Sequence, residues 1–254
     1  MMKIMQIILI SFLLTSGCLQ GGDEFRGSSK NCDRDAVSGV ILSFDDIKNL
    51  ESWYESRELF LEYEINVTFY IDKPYLLTER EGWLEMLQVL ASDGHEIGSH
   101  TMNHTNFIEY IESGGSADSY LSDEVISSVE ELQNLGFVVE TFAYPYGARN
   151  SEIDALLEPY FKTIRATRSS ATSINSWKVY CEDQQMFVGS AIENMEKDVA
   201  IDALDDARDG DLTVLLYSHE LSNSSKWSVK EFKYIADQTK KRNLPFLLMS
   251  DLAE

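Results

Sequence analysis

Two apolar runs of the chain end in clusters of polar residues: Ser43-Phe44-Asp45-Asp46 closes one, and Ser99-His100-Thr101-Met102-Asn103-His104 closes another. One carboxylate and two imidazoles form the ligand set of an open catalytic metal site, and a spare carboxylate beside the first can serve as a base. That combination points to metal-assisted hydrolysis. His100 and His104 are two of 4 histidines in the chain, and their spacing lets one turn or tight loop present both rings to one ion. Gly94 and Gly98 flank His95-Glu96-Ile97, which suits close approach of backbone near a ligand. Taken singly, each residue has a plainer use. Asp46 can cap the helix that follows, Asp45 can be a surface acid, and the histidines can be structural or solvated.

Such residues need elements that bring them together. From Val37 onward short β-type runs alternate with longer amphipathic stretches, the pattern of βα units around a parallel sheet or barrel. Strands are predicted at Val37 to Phe44, Asn66 to Ile71, His95 to Ser99, Val138 to Tyr144, Phe161 to Ala166, Met186 to Ile192, Leu212 to Ser218 and Pro245 to Met249. Helices are predicted at Asp46 to Tyr63, Thr78 to Ser92, Ser119 to Leu135, Ser151 to Pro159, Lys197 to Arg208 and Ser228 to Arg242, with Asp93-Gly94 and Leu135-Gly136 as stop signals. Asp45 and Asp46, His100 and His104, Tyr144-Pro145-Tyr146-Gly147 and His219 all fall at or just after a predicted strand end. In barrels and α/β sheets these ends converge on one face, so residues distant in sequence can share a site.

The 254 residues suffice for one α/β domain with a large core. A formal charge of -22 disfavours extended contact with nucleic acid and fits a neutral or cationic partner better. Most of the acids read as a solvated surface. Residues 1–17 read as a signal peptide, because Ile4 to Leu14 is apolar yet too short to span a bilayer comfortably. Thr15-Ser16-Gly17-Cys18 resembles the lipobox of prokaryotic lipoproteins, with Thr15 where Leu is usual. That resemblance implies a lipid on Cys18 and an extracytoplasmic, membrane-anchored protein; a secreted protein cut nearby is the alternative. Residues 18–36 then form a flexible tether rich in Gly and Ser, and 37–254 the folded domain. Cys32 and Cys181 remain, either as a disulfide or as two separate thiols.

Taken together, the motifs resemble those of the polysaccharide deacetylases, carbohydrate esterase family 4 or NodB-homology domain, from about Val37 to Leu252. The paired-aspartate motif is matched by Ser43-Phe44-Asp45-Asp46 and the His-Ser/Thr-x-x-His motif by His100 to His104, both intact. The third, usually Arg-x-Pro-Tyr, corresponds to Ala143-Tyr144-Pro145-Tyr146, and the last, Leu-x-His, to Tyr217-Ser218-His219. Asn66 to Ile71 resembles the family's second strand. The resemblance implies a distorted (β/α) barrel with about seven parallel strands, and removal of N-acetyl groups from an N-acetylated glycan as acetate. It implies that Asp46, His100 and His104 bind a divalent ion, usually Zn2+, although iron, cobalt or manganese suits the same donors. Asp45 would be the base, His219 the acid, and the backbone N–H of Tyr146 a donor to the oxyanion. Tyr144 and Pro145 would contact substrate, and Trp177 either walls a sugar groove or packs in the core.

Two departures stand out. Ala143 occupies the place of the arginine that holds the catalytic aspartate, leaving Arg165 or Arg149 to replace it. The family's Asp-x-x-Asp-Trp element is not visible: Ser173 to Trp177 supplies only the Trp, and the carboxylate partner of His219 is unassigned. His95 is read as packing near the site. Two other readings keep the barrel: hydrolysis of an O-acetyl ester or another amide, and a catalytically silent glycan-binding lipoprotein.

Overall fold

The computed structural model describes residues 38–168, 174, 176–177, 185–210, 212–222 and 228–253. All eight expected strands form, joined by a two-residue strand that the pattern did not predict. In chain order they are β1 (Gly39–Asp45), β2 (Thr68–Ile71), β3 (Glu96–Ser99), β4 (Thr141–Ala143), β5 (Thr163–Arg168), β6 (Ser176–Trp177), β7 (Met186–Ala191), β8 (Thr213–Ser218) and β9 (Phe246–Leu247). Strands β1-β2-β3-β4-β5-β7-β8 pair in parallel in that order, and β8 returns to β1, closing a seven-stranded barrel.

The distortion has a local cause at two seams. β1 pairs with β2 only over Ser43–Asp45, and lower on the same edge β9 pairs with Val40 and Ile41. β7 meets β8 only at Ser190 and Ala191, while β6 runs antiparallel beside Thr213 and Val214. The ring is therefore continuous at the strand C-terminal ends and splayed at the N-terminal ends, where the two short strands satisfy backbone groups the seams would leave unpaired.

Side chains alternate between two cores. Val40, Leu42 and Phe44 of β1 join the layer beneath the helices, whereas Ile41 joins Tyr70, Ala143, Phe187, Leu215, Met249 and Leu252 in the lumen. The outer layer includes Phe44, Trp53, Phe60, Phe69 and Phe232, whose rings pack in tilted, stacked and edge-on pairs. Truncating any one of these to Ala would cost about 3–5 kcal/mol. His95 lies between Phe60 and Phe69, accepts the Val67 N–H at Nδ1, and its pKa is pushed down to about 4 by burial; it is a neutral packing residue, but at the start of β3, the strand end away from His100, rather than near the site.

The helices are α1 (Leu50–Glu55), α2 (Arg57–Tyr63), α3 (Leu76–Glu79), α4 (Trp83–Ser92), α5 (Phe107–Glu112), α6 (Ala117–Tyr120), α7 (Ser127–Asn134), α8 (Ser151–Leu157), α9 (Lys197–Gly210) and α10 (Val229–Lys241). The long helix expected over Asp46 to Tyr63 is broken at Ser56, whose hydroxyl bonds back to the Ser52 carbonyl at 2.8 Å. That over Thr78 to Ser92 is interrupted between Glu79 and Trp83. The third divides into α6, a π-helical turn at Leu121–Ile126, and α7. Helix α5 was not anticipated, although Asn106 caps it by accepting from the Ile108 and Glu109 N–H groups. Gly94 and Gly136 do end helices, with φ of 96° and 95°. Cys18, Cys32 and Cys181, and with them the tether and disulfide expectations, lie outside the described residues.

Candidate active site

Asp46 follows the last residue of β1, and His100 and His104 follow β3. The chain brings them together: Asp46 Oδ1 lies 3.1 Å from His104 Nε2 and 3.8 Å from His100 Nε2, and one ligand atom from each of the three lies within 4.8 Å of the others. Ligands at about 2.0 Å from a tetrahedral ion stand roughly 3.3 Å apart, so the spacing suits a small divalent cation. The protonation pattern suits it too. His100 Nδ1 sits 2.7 Å from the Ala143 carbonyl, which can only accept, so Nδ1 carries the proton and Nε2 offers a lone pair to the cluster. His104 Nδ1 lies 3.2 Å from the Tyr146 hydroxyl, a group able to accept its proton or to donate one. Asp46 does not cap the following helix. Its Oδ1 is buried without a hydrogen bond among the described residues, while Oδ2 accepts from Lys48 Nζ at 2.8 Å. A bare acceptor oxygen facing the acceptor nitrogen of His100, with His104 Nε2 3.1 Å away, is a donor set for a cation. Burial works to raise the Asp46 pKa, and the Lys48 ammonium works to lower it. Burial lowers that of His100.

Backbone strain gathers here. Asp46, Thr101, His104 and Tyr146 have φ of 72°, 73°, 61° and 59°, conformations costing of order 1–3 kcal/mol each that persist where surrounding contacts impose them. One such contact is Asp72, just after β2, whose Oδ1 accepts the Ile47 N–H at 2.7 Å and so fixes the peptide next to Asp46.

Asp45 points into the barrel and meets Arg165 of β5, whose Nη2 donates to both carboxylate oxygens at 2.5 and 2.6 Å. Arg165 is the direct cross-strand partner of Ala143, so the guanidinium missing from β4 is delivered by the neighbouring strand. Other residues admit it. The rings of Tyr70 and Tyr217 lie 4.9 and 4.7 Å from its Cζ, covering a side chain whose Nε and Nη1 have no hydrogen bond among the described residues. A Cβ at Gly189 would stand 3.1 Å from Arg165 Cδ. Tyr217 is the residue that departs from the Leu of the last motif, and its ring is one wall of the arginine's slot. Arg149 instead pairs with Asp154.

His219 follows β8, beside Asp45 across the β1–β8 ladder. Its missing carboxylate is Glu193, in the 3-10 turn after β7: Oε1 takes His219 Nδ1 at 3.1 Å, the His219 N–H at 2.7 Å and the Ser218 hydroxyl at 2.8 Å. Burial opposes ionisation of Glu193, yet the bonds from His219 and Ser218 bring its pKa to about 2. The same bond raises that of His219. Trp53 Nε1 donates to the His219 carbonyl at 2.7 Å, tying the loop to α1. Sequence reasoning missed Glu193, although a carboxylate just past a predicted strand end is the same signal that singled out Asp45.

Three expected substrate contacts require correction. Tyr144 is wholly buried with its hydroxyl spent on Asp154, and Pro145 is buried beside it, so neither forms a groove wall. Trp177 pairs with Thr213 at the start of β8, and His219 is six residues further along at about 3.3 Å each, placing its backbone at the opposite end of the barrel. Tyr146 is the exposed member, at 67%. Its ring stacks edge-on against His104, and beside them opens a groove of about 300 Å³ that also touches Asn103, Asn106, Glu109 and Tyr110.

A closed parallel barrel that gathers an Asp-His-His cluster, a braced aspartate and a carboxylate-bound histidine at its C-terminal mouth has the make-up of a barrel hydrolase. Residues 34–160 match the polysaccharide deacetylase family, to which the chain belongs. A peptidoglycan-N-acetylglucosamine deacetylase of Bacillus cereus is 24% identical over 219 residues, covering 84% of this chain and 87% of that protein. Among solved structures, the chitin deacetylase of the fungal pathogen Colletotrichum lindemuthianum is similar with a TM-score of 0.54 at 13% identity, covering 85% of this chain and 89% of that one. A CE4 family pseudoenzyme from Bacillus anthracis is similar with a TM-score of 0.53 at 13% identity, covering 87% and 67%. The likeness to these two structures is one of fold.

Proposed function

We propose that the chain is a metal-dependent N-deacetylase acting on an N-acetylated glycan. The observation that carries this reading is the convergence of Asp46, His100 and His104, with the proton-free Nε2 of His100 and the Nε2 of His104 facing a bare carboxylate oxygen, next to an acid and a base held by separate partners. A divalent ion held by those three residues, zinc foremost, supplies Lewis acidity toward the acetyl carbonyl and lowers the pKa of water.

The chain's own residues do the rest. Asp45, fixed by Arg165, takes the proton of the attacking water. The Tyr146 backbone N–H serves the oxygen on which negative charge grows. His219, kept protonated by Glu193, gives a proton to the departing nitrogen, leaving acetate and an amino sugar. An overall charge of -22 favours a neutral polymer over an acidic one, and the name of the Bacillus cereus relative suggests N-acetylglucosamine units. The sequence before the barrel supports a place at the cell envelope, with lipid on Cys18 as the anchor.

The test is acetate release from chitin oligomers, peptidoglycan fragments and an O-acetylated xylan, with new amines counted in parallel. Acetate matched by amine from the first two is expected. Release from the xylan alone would show an esterase, and release from none would favour a silent glycan-binding protein. Asp45→Asn is expected to keep the metal and lose at least about 100-fold in turnover.

A further inference from the structure

Glu124 is a buried carboxylate that takes no part in the chemistry above. It lies in the π-helical turn Leu121–Ile126, a widened turn of the kind found at functional sites, and everything it holds belongs to one loop. Its Oε2 accepts the Asn103 N–H at 2.8 Å; its Oε1 accepts Asn103 Nδ2 at 3.0 Å and the Thr105 hydroxyl at 2.6 Å. Its backbone carbonyl accepts the Met102 N–H at 2.7 Å, and one turn earlier the Tyr120 hydroxyl donates to the Thr105 carbonyl at 2.9 Å. His104, with φ of 61°, is thus the residue between two neighbours anchored to the same carboxylate.

We propose that Glu124 is a positioning residue of the metal centre, which holds His104 in its left-handed conformation by gripping Asn103 and Thr105 on either side. The proposal rests on the reading of Asp46, His100 and His104 as metal ligands. Three donors converge on Glu124, and a carboxylate has acceptors for all of them; a glutamine with its oxygen toward the Asn103 N–H turns its NH2 group toward Asn103 Nδ2 and the Thr105 hydroxyl, so both of those groups must reorient for the grip to survive. Asp72 does the corresponding work for Asp46 with one bond, whereas Glu124 does it with three from its side chain.

The test is zinc affinity, measured on the full chain by competition with a chromophoric chelator, alongside the melting temperature of the metal-free protein. Glu124→Gln is expected to bind zinc about 10–100-fold more weakly while melting within a few degrees of the parent, and Asp123→Asn, at the exposed neighbouring position, is expected to bind like the parent. A glutamate that merely stabilised the fold would lower the melting temperature and leave the affinity of the folded protein unchanged; that result overturns the proposal. Should Glu124→Gln fail to fold, Thr105→Val removes one donor and is expected to weaken zinc binding to a smaller degree, with unchanged affinity again overturning it. A parent chain without zinc affinity would overturn the metal reading and the brace together, whereas a binding parent with unaffected variants overturns the brace alone.

Discussion

Arg165 and Asp45 are both almost wholly buried, so each depends on the other's charge. Removing one partner of such a pair costs about 3–5 kcal/mol, because the survivor is left uncompensated in a poorly polarisable interior. Arg165→Met is therefore expected to lower stability by that amount in urea titrations and to abolish most acetate release, while Arg165→Met combined with Asp45→Asn regains stability without activity. Equal stability of the parent and Arg165→Met would contradict the pairing. Glu193 acts on the other proton-carrying group. Its bond raises the His219 pKa above 6.5, so the protonated acid persists to higher pH and turnover falls only as pH passes that raised value. Glu193→Gln is expected to move the alkaline limb of the kcat/KM profile to lower pH and to cut the plateau by about 10–100-fold; an unmoved limb would contradict it. In stability the signs follow the same pair. The His219 contribution is complete below 6.5 and is lost as pH rises through its folded value, and that of Glu193 is lost as pH falls below 4.5 toward about 2.

The strands and helices that carry these residues differ in how far sequence exposes them. β1 and β3 are legible because an apolar run stops on polar residues, whereas which of Asp45 and Asp46 faces the lumen is not, since β1 is buried on both faces and Asp46 turns off it with φ of 72°. Pairing across strands is not local information. That Arg165 stands opposite Ala143, or that Glu193 reaches His219, depends on register, which sequence periodicity alone does not specify. Tyr144 was misplaced for a related reason: Tyr146 of the same motif is exposed beside His104, but the ring of Tyr144 turns into the core against Phe142, 5.0 Å away. Trp177 carried an aromatic signal with no topological one. Two of the breaks in the helices leave no proline in the sequence, since they come from the Ser56 hydroxyl and a widened turn, whereas the break before Trp83 falls at Gly82, whose φ of 79° is a glycine conformation. Gly98 shows how tightly the strands constrain one another. A Cβ there would lie 2.6 Å from the Tyr70 ring and 2.7 Å from Thr141 Oγ1, so Gly98→Ala is expected to cost about 1–3 kcal/mol by overpacking. Thermal denaturation checks this, and an unchanged melting temperature would contradict the packing of Tyr70 inside the barrel.

Closing β8 onto β1 is what turns distant stretches of chain into one site. β1 supplies two aspartates, β3 two histidines, β4 the carbonyl that orients His100, β5 the arginine, and β7 and β8 the carboxylate and histidine of the acid. The splayed N-terminal end is filled by Met249 and Leu252, which leaves the C-terminal mouth as the working face. All of the chemistry proposed depends on a cation sitting where three side chains of that face converge. The most direct test is anomalous diffraction from crystals grown with zinc. The expected result is one zinc peak about 2.0–2.2 Å from a carboxylate oxygen of Asp46 and from Nε2 of His100 and His104. A peak elsewhere, or none at millimolar zinc with the three side chains in place, would contradict it.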